Sequence, residues 1–251
     1  MAERRQRPLS PAPGTVIRPY VPADRQAVRD ICCRTAFRNA GSDRFFEDRE
    51  VFADFGTRYY TDHRPEDVVI VEQEGEVIGY LFGCFDHAHY LRVMAWRIVP
   101  SCIARALWRL VRGRYRQPQT RAYLRHMILR GGAEAPPLDT RKYPAHYHCN
   151  ILRKGYGQGL YTQLVLEFLD RLEARGVTAL HGNITEPAES GTWDELSVTS
   201  PDREPVYRAE VPTQLFQAVT GDVRPMVNRV WGVSVPRYRG WITWLRKAHR
   251  L

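Results

Sequence analysis

Three glycines spaced two apart, in Gly155-Tyr-Gly-Gln-Gly159, stand directly before a run whose apolar residues Leu160, Leu164, Val165, Phe168, Leu169 and Leu172 recur at helical spacing. The first amides of a helix lack partners within it, and the peptide dipoles place positive charge there, so glycines at that point let a phosphate approach closely. The same pattern also serves as a plain tight turn into a packed helix. Just upstream, His146-Tyr-His-Cys-Asn-Ile-Leu152 reads as a strand. Alternation puts His146, His148 and Asn150 on one of its faces, a polar row with two imidazoles that titrate near neutrality and can exchange protons. A zinc site needs further ligands that the sequence does not place beside them, so no metal is expected.

The elements that must position this unit follow from periodicity. Thr15 to Tyr20 predicts a short strand, and Asp24 can cap a helix carrying Ala27, Val28 and Ile31 on its apolar face. A second helix is expected from Phe45 to Tyr60. Val68 to Gly83 reads as two β-branched or aromatic runs joined near Gly75, an antiparallel hairpin. Val177 to Ile184 predicts the strand after the glycine-loop helix, with Gly176 as that helix's C-terminal cap. Beyond it come a loop-rich stretch to about Pro205, a short helix near Pro212 to Val219, and strands around Val227 to Val235 and Trp241 to Leu245.

Between His87 and Ala133 the composition changes: ten arginines fall there and no Asp or Glu. Ile103, Ala106, Leu107, Leu110 and Val111 form an apolar stripe with Arg105, Arg109 and Arg112 opposite, which predicts an amphipathic helix whose stripe is buried. A second helix is expected from Thr120 to Leu129. The segment at about 87–135 is read as a helical insertion into one domain spanning 15–251, after a basic, Pro-rich arm at 1–14 expected to be disordered.

The chain has 251 residues, 43% hydrophobic and 26% charged, with no apolar run near the roughly 20 residues of a membrane span. Five cysteines without CxxC pairing or a disulfide framework fit a reducing cytoplasm. The formal net charge of +9 suits an anionic partner: a nucleotide cofactor, a nucleic acid or a membrane surface. Contact with either surface through residues 92–130, where Trp96, Trp108, Tyr115 and Tyr123 accompany the arginines, stays open beside a plain solvated face.

The order of motifs adds specificity. Ile17-Arg-Pro with Asp24, then Glu74-Gly-Glu-Val-Ile-Gly79, then the strand, loop and helix at 146 to 175, resembles the GNAT acetyltransferase family over most of residues 15 to 185. The resemblance implies an α/β fold, a central mixed, mostly antiparallel sheet flanked by helices, here with the Arg-rich insertion. It implies acetyl-CoA as co-substrate and transfer of acetyl to an amine, on a small molecule or a protein, by direct attack. In the family the strand before the loop is splayed from its neighbour, and its backbone pairs with the pantetheine arm; Asn150, Ile151 and Leu152 hold that place.

The family's loop reads Gln/Arg-x-x-Gly-x-Gly/Ala, and two registers fit Tyr156, Gly157, Gln158, Gly159, Leu160 and Tyr161. Taking Gly159 as the first glycine puts Leu164 and Val165 on the buried face and is preferred; Tyr156 and Tyr161 then occupy the Gln/Arg and second Gly/Ala positions. By resemblance His148 is the expected base, ahead of His146, with Glu186 third. The family's terminal tyrosine is replaced by Gln217 in Leu215-Phe-Gln-Ala-Val-Thr-Gly221, and Tyr207 or water is the substitute acid. A non-catalytic coenzyme A-binding module, or a membrane-surface or nucleic-acid binder, are the alternatives.

Overall fold

The computed structural model describes residues 11–191 and 206–247. The arm's residues 1–10 and most of the loop before Pro205 lie outside them. Strands β1 (Thr15–Pro19), β2 (Val68–Gln73), β3 (Glu76–Cys84) and β4 (His146–Ile151) form an antiparallel sheet in that order. Strands β5 (Ala179–Pro187), β6 (Tyr207–Thr213) and β7 (Met226–Ser234) form a second antiparallel sheet with β7 in the middle. The two sheets touch at one parallel bridge, Ala145 to Leu180, where His181 N donates to Ala145 O at 2.8 Å. The mixed, mostly antiparallel architecture is thus as expected.

Alternation along β2 and β3, shifted by one residue at a bulge at Ile78, divides the core between the faces of the first sheet. Val69, Val71, Ile78 and Leu81 pack on α6 (Leu160–Ala174) and on the last helix, α8 (Val235–Lys247). Val68, Ile70, Tyr80 and Phe82 pack on α1 (Arg25–Asn39), α2 (Arg49–Arg58) and α4 (Val99–Val111). Burial of each large side chain contributes about 1.5–3 kcal/mol, so both layers are needed to hold the sheet.

Several expectations are corrected. Asp24 does not cap α1 with its side chain; its carboxylate accepts from Arg18 at 2.7 and 2.8 Å and from Val21 N at 2.9 Å, because the arginine is the stronger donor. Trp241 to Leu245 is helix, within α8: with Tyr238 these apolar residues repeat every three to four positions. β6 escapes the sequence reading because it lacks a β-branched run and carries Pro212, its inner positions being only half-buried up to Thr213. The helix expected from Phe45 starts at Arg49, where Asp48 accepts from Val51 N at 3.1 Å.

The Arg-rich segment holds α3 (His87–Val93), α4 and α5 (Pro118–Arg130), with a wide π turn, Met94–Ile98, before α4. Its apolar stripe is divided and not buried as a whole, with Ala106 and Leu110 turned toward the α1-side core. Cys102 and Ala106 are buried, whereas Ile103, Leu107, Trp108 and Val111 are exposed. The cause is α2, whose buried Asp48 and Asp54 draw in the guanidinium groups: Arg105 reaches Asp54 at 2.7 Å, and Arg109 pairs with Asp48, which Tyr115 Oη also holds at 2.6 Å. Met94, Ile98, Cys102, Ala106 and Tyr115 belong to the α1-side core, so the segment is part of the structure that holds the sheet.

Candidate active site

Past the Ala145 bridge β4 and β5 are not paired, and each is the edge of its own sheet. Leu152 N donates to Ile78 O of β3 at 2.8 Å. Alternation therefore turns the Leu152, Asn150 and His148 amides toward β3, and those of Ile151, Cys149 and Tyr147 toward the open edge. Of the three residues expected to line the cleft with backbone, Ile151 does; Asn150 and Leu152 have their backbone groups on the β3 side, and Cys149 takes the place they lose.

The chain then makes a 3-10 turn, Arg153–Gly155, and enters α6 through Gly159, whose φ of +69° is the left-handed conformation that glycine adopts without penalty. Leu160, Leu164 and Val165 are all buried, and so is Thr162, which bonds Gly159 O at 2.8 Å, so burial along α6 is compatible with either register of the loop. Tyr161 does not crowd the helix end: its hydroxyl turns inward to Tyr147 Oη at 2.6 Å. Tyr147 also bonds Tyr238 Oη at 2.5 Å, and burial raises all three phenols, Tyr161 to about 12. Gln158 is engaged elsewhere, accepting from Ala12 N and donating to Lys154 O, both at 2.9 Å. Tyr156 is exposed and meets Asn39 Nδ2 at 3.2 Å. Gly157 (φ +74°) opens the final turn.

On the opposite face of β4 the polar row is present. Asn150 Nδ2 contacts Tyr80 Oη at 2.7 Å and His148 Nε2 at 2.9 Å. His148 is accessible to water yet flanked by Tyr80 and Phe82, and burial among protein atoms lowers its pKa. His146 is drawn away from this pair. Its Nε2 meets Tyr60 Oη at 3.0 Å and its Nδ1 meets His87 Nδ1 at 3.0 Å, so both ring nitrogens are engaged. His181 donates from Nδ1 to Tyr143 O at 2.8 Å. The donor nitrogens of His87, His146 and His181 lie within 4.8 Å of one another, the one such group among the described residues. Burial, followed for His146 and His181 by the neighbouring imidazoles, keeps all three below the usual pKa, His181 at about 4. An ion among them would have to replace the His87–His146 hydrogen bond. Sequence reading missed His87, His181 and Tyr60, which no local spacing links to His146.

Two other expectations fall away. Glu186 is 1% exposed and paired with buried Arg229, which also holds Glu210 at 2.8 Å, so its carboxylate is already engaged and closed off from an incoming amine. Tyr207 donates its hydroxyl to Pro137 O at 2.7 Å and so pins the loop before β4. Gln217 lies on α7 (Leu215–Thr220). Burial pushes the Cys149 thiol up to about 12, which leaves it protonated and unreactive at neutral pH.

Split antiparallel sheets thus diverge beside a strand, a glycine turn and a helix. The fold is that of the GNAT acetyltransferases. The chain is similar to the crystal structure of SsHAT, with a TM-score of 0.57 and 25% identity, covering 89% of this chain and 99% of that one. It is similar in fold to a Drosophila melanogaster polyamine N-acetyltransferase that catalyses formation of N-acetylagmatine, with a TM-score of 0.50 and 10% identity over 88% and 99% of the two chains. YncA from Salmonella typhimurium, determined with acetyl-CoA, gives a TM-score of 0.47 and 15% identity over 88% and 94%. No protein-family model matches the chain, and no curated protein matches it.

Proposed function

We propose that this chain is an acetyl-CoA-dependent N-acetyltransferase that transfers acetyl to an amine by direct attack. The observation that carries the reading is the open edge of β4 running into the Gly159-capped start of α6. The outward amides of Cys149 and Ile151 suit an extended pantetheine arm, and the unpaired first-turn amides of α6 suit a pyrophosphate. Acetyl-CoA, when bound, supplies an activated acyl group on a thiolate leaving group.

The residues on the α1 side of β4 then act on the acceptor. A neutral amine is required for attack, and His148, uncharged at neutral pH because burial lowers its pKa, accepts the ammonium proton. The Asn150 amide can face it in two orientations. With its oxygen turned toward Tyr80 and His148, it accepts from both Tyr80 O–H and His148 Nε2–H and leaves Nδ1 as the unprotonated nitrogen. That is the arrangement a base requires. An outward β4 amide at the thioester carbonyl would stabilise the developing oxyanion by roughly 3–4 kcal/mol. No covalent intermediate is needed, in keeping with the protonated Cys149.

Thermal melts with acetyl-CoA, followed by thiol release against a panel of amines, test the reading. Stabilisation together with amine-dependent thiol release is the expected result. Stabilisation without release over the whole panel would leave a coenzyme A-binding module, and neither effect would remove the ligand assignment altogether.

A further inference from the structure

Helix α4 shows solvent a large part of its apolar surface. At 100° per residue, Ile103, Leu107, Val111 and Trp108 fall within an arc of about 140°, and all four are exposed. Trp96, on the preceding π turn, is 82% exposed, and Val111 is 88% exposed. Single exposed apolar residues are ordinary, but a tryptophan and three aliphatic side chains along one helix, with a second exposed tryptophan on the turn before it, mark an interaction surface. The inward-facing arginines explain how the helix stays docked in this orientation. Arg105 and Arg109 are held by carboxylates of α2, while Cys102 and Ala106 fill the core beneath them.

The charges around the patch select its partner. Arg92, Arg97, Arg112 and Arg114 are exposed and ion-paired with no described residue, and Arg112 lies over the Trp108 ring at 4.8 Å. No Asp or Glu occurs between residues 87 and 133. A second copy docking through the same face would bring these arginines against their own counterparts with no carboxylate to neutralise them. A nucleic acid would satisfy the arginines but leave the aliphatic side chains of Ile103, Leu107 and Val111 without an apolar surface to enter. An anionic bilayer satisfies both: guanidinium groups meet headgroup phosphates, tryptophans sit at headgroup level, and the aliphatic arc enters the acyl boundary. No described helix is long and apolar enough to cross a membrane, so contact would be in the interface plane.

We propose that the outer face of α4, with Trp96 from the turn before it, docks the protein on anionic lipid surfaces. This surface shares no residue with the β4 cleft and does not depend on the acetyltransferase reading.

The test is flotation of the full-length protein with vesicles of phosphatidylcholine alone, or with phosphatidylglycerol at about 30% of the lipid. The protein should float with the anionic vesicles and remain behind with the neutral ones. Trp96→Ala/Trp108→Ala should weaken binding at least about ten-fold. Val111→Asp should do the same by placing a carboxylate in the apolar arc. Both variants change exposed positions, so their circular-dichroism melts should match the wild type. Raised salt should weaken binding by screening the arginines. Absence of flotation, or flotation that neither variant changes, would overturn the proposal. So would tight duplex RNA or DNA binding without flotation, or a dimer in sedimentation, lost in Trp96→Ala/Trp108→Ala, that occurs without flotation.

Discussion

Asn150 Nδ2 stands 2.9 Å from His148 Nε2 and 2.7 Å from Tyr80 Oη, so one amide links the exposed imidazole to a fully buried phenol. If His148 is the base, His148→Ala lowers turnover roughly 100- to 10,000-fold at neutral pH and leaves acetyl-CoA stabilisation unchanged. Because burial lowers the His148 pKa, the ascending limb of the wild-type pH–rate profile lies below the ordinary imidazole value of 6.5. Asn150→Asp places a carboxylate beside the ring, favours the imidazolium and moves that limb to higher pH. A limb unmoved in Asn150→Asp, with normal turnover in His148→Ala, would exclude this pair from proton transfer.

Histidines held uncharged in the folded state make the fold acid-sensitive. The pKa values of His87, His146 and His181 are all lowered, that of His181 to about 4, while the unfolded chain takes up protons near 6.5. The unfolded state therefore binds more protons over this window, and stability present above pH 6.5 is lost as pH falls toward about 4. Each such group contributes up to about 1.4 kcal/mol per pH unit. The melting temperature should fall across this range, and His181→Gln should make the fall shallower. An identical slope in that variant would mean that His181 is not titrating between the states.

Glu186 is expected to matter for stability alone. Its removal leaves Arg229 buried with the half-exposed Glu210 as its one counter-ion among the described residues, and breaking a buried pair costs about 3–5 kcal/mol. Glu186→Gln should therefore lower the melting temperature strongly while turnover per folded molecule stays normal. A large drop in turnover without destabilisation would return Glu186 to the site.

The inserted segment gives a sharper test than its composition suggested. Excising residues 88–133 removes Met94, Ile98, Cys102, Ala106 and Tyr115 from the α1-side core and uncovers Phe46 and Tyr60. At about 1.5–3 kcal/mol for each large side chain, the loss matches the 5–15 kcal/mol that holds a typical domain folded. The shortened chain should show no cooperative melt. A folded product that still binds acetyl-CoA would restore the picture of a dispensable insertion.

How far the sequence reveals this structure depends on where the information lies. The β2–β3 hairpin, β4 and the buried face of α6 are legible because local alternation or helical spacing determines them. The orientation of α4 is not: its stripe alone predicts burial, and the side that packs is decided by Asp48 and Asp54 on a different helix. The same holds for His146, whose partners Tyr60, His87 and His181 come from three separate elements. The inward turn of Tyr161 depends likewise on Tyr147 and Tyr238, 14 positions before it and far along the chain after it. Long-range polar partners carry no local period, so motif reading places candidate residues without showing which are already engaged.

The glycine at the start of α6 allows strain and ligand binding to be separated. Gly159 has a φ of +69°, where an L side chain costs about 1–2 kcal/mol, so Gly159→Ala should lower the melting temperature by an amount set by backbone strain. A methyl group carries no charge, and if the α6 amides hold the pyrophosphate, stabilisation by saturating acetyl-CoA should be reduced in Gly159→Ala but present. Gly159→Glu carries a comparable backbone penalty and adds a negative charge at the positive end of the helix, where it competes with the phosphates. The thermal shift should then disappear, because a ligand stabilises only through its affinity for the folded state. Comparing the two variants at matched stability isolates the charge. Full shifts in both would move the anion site away from this helix end, and loss in Gly159→Ala alone would point to backbone geometry as the determinant.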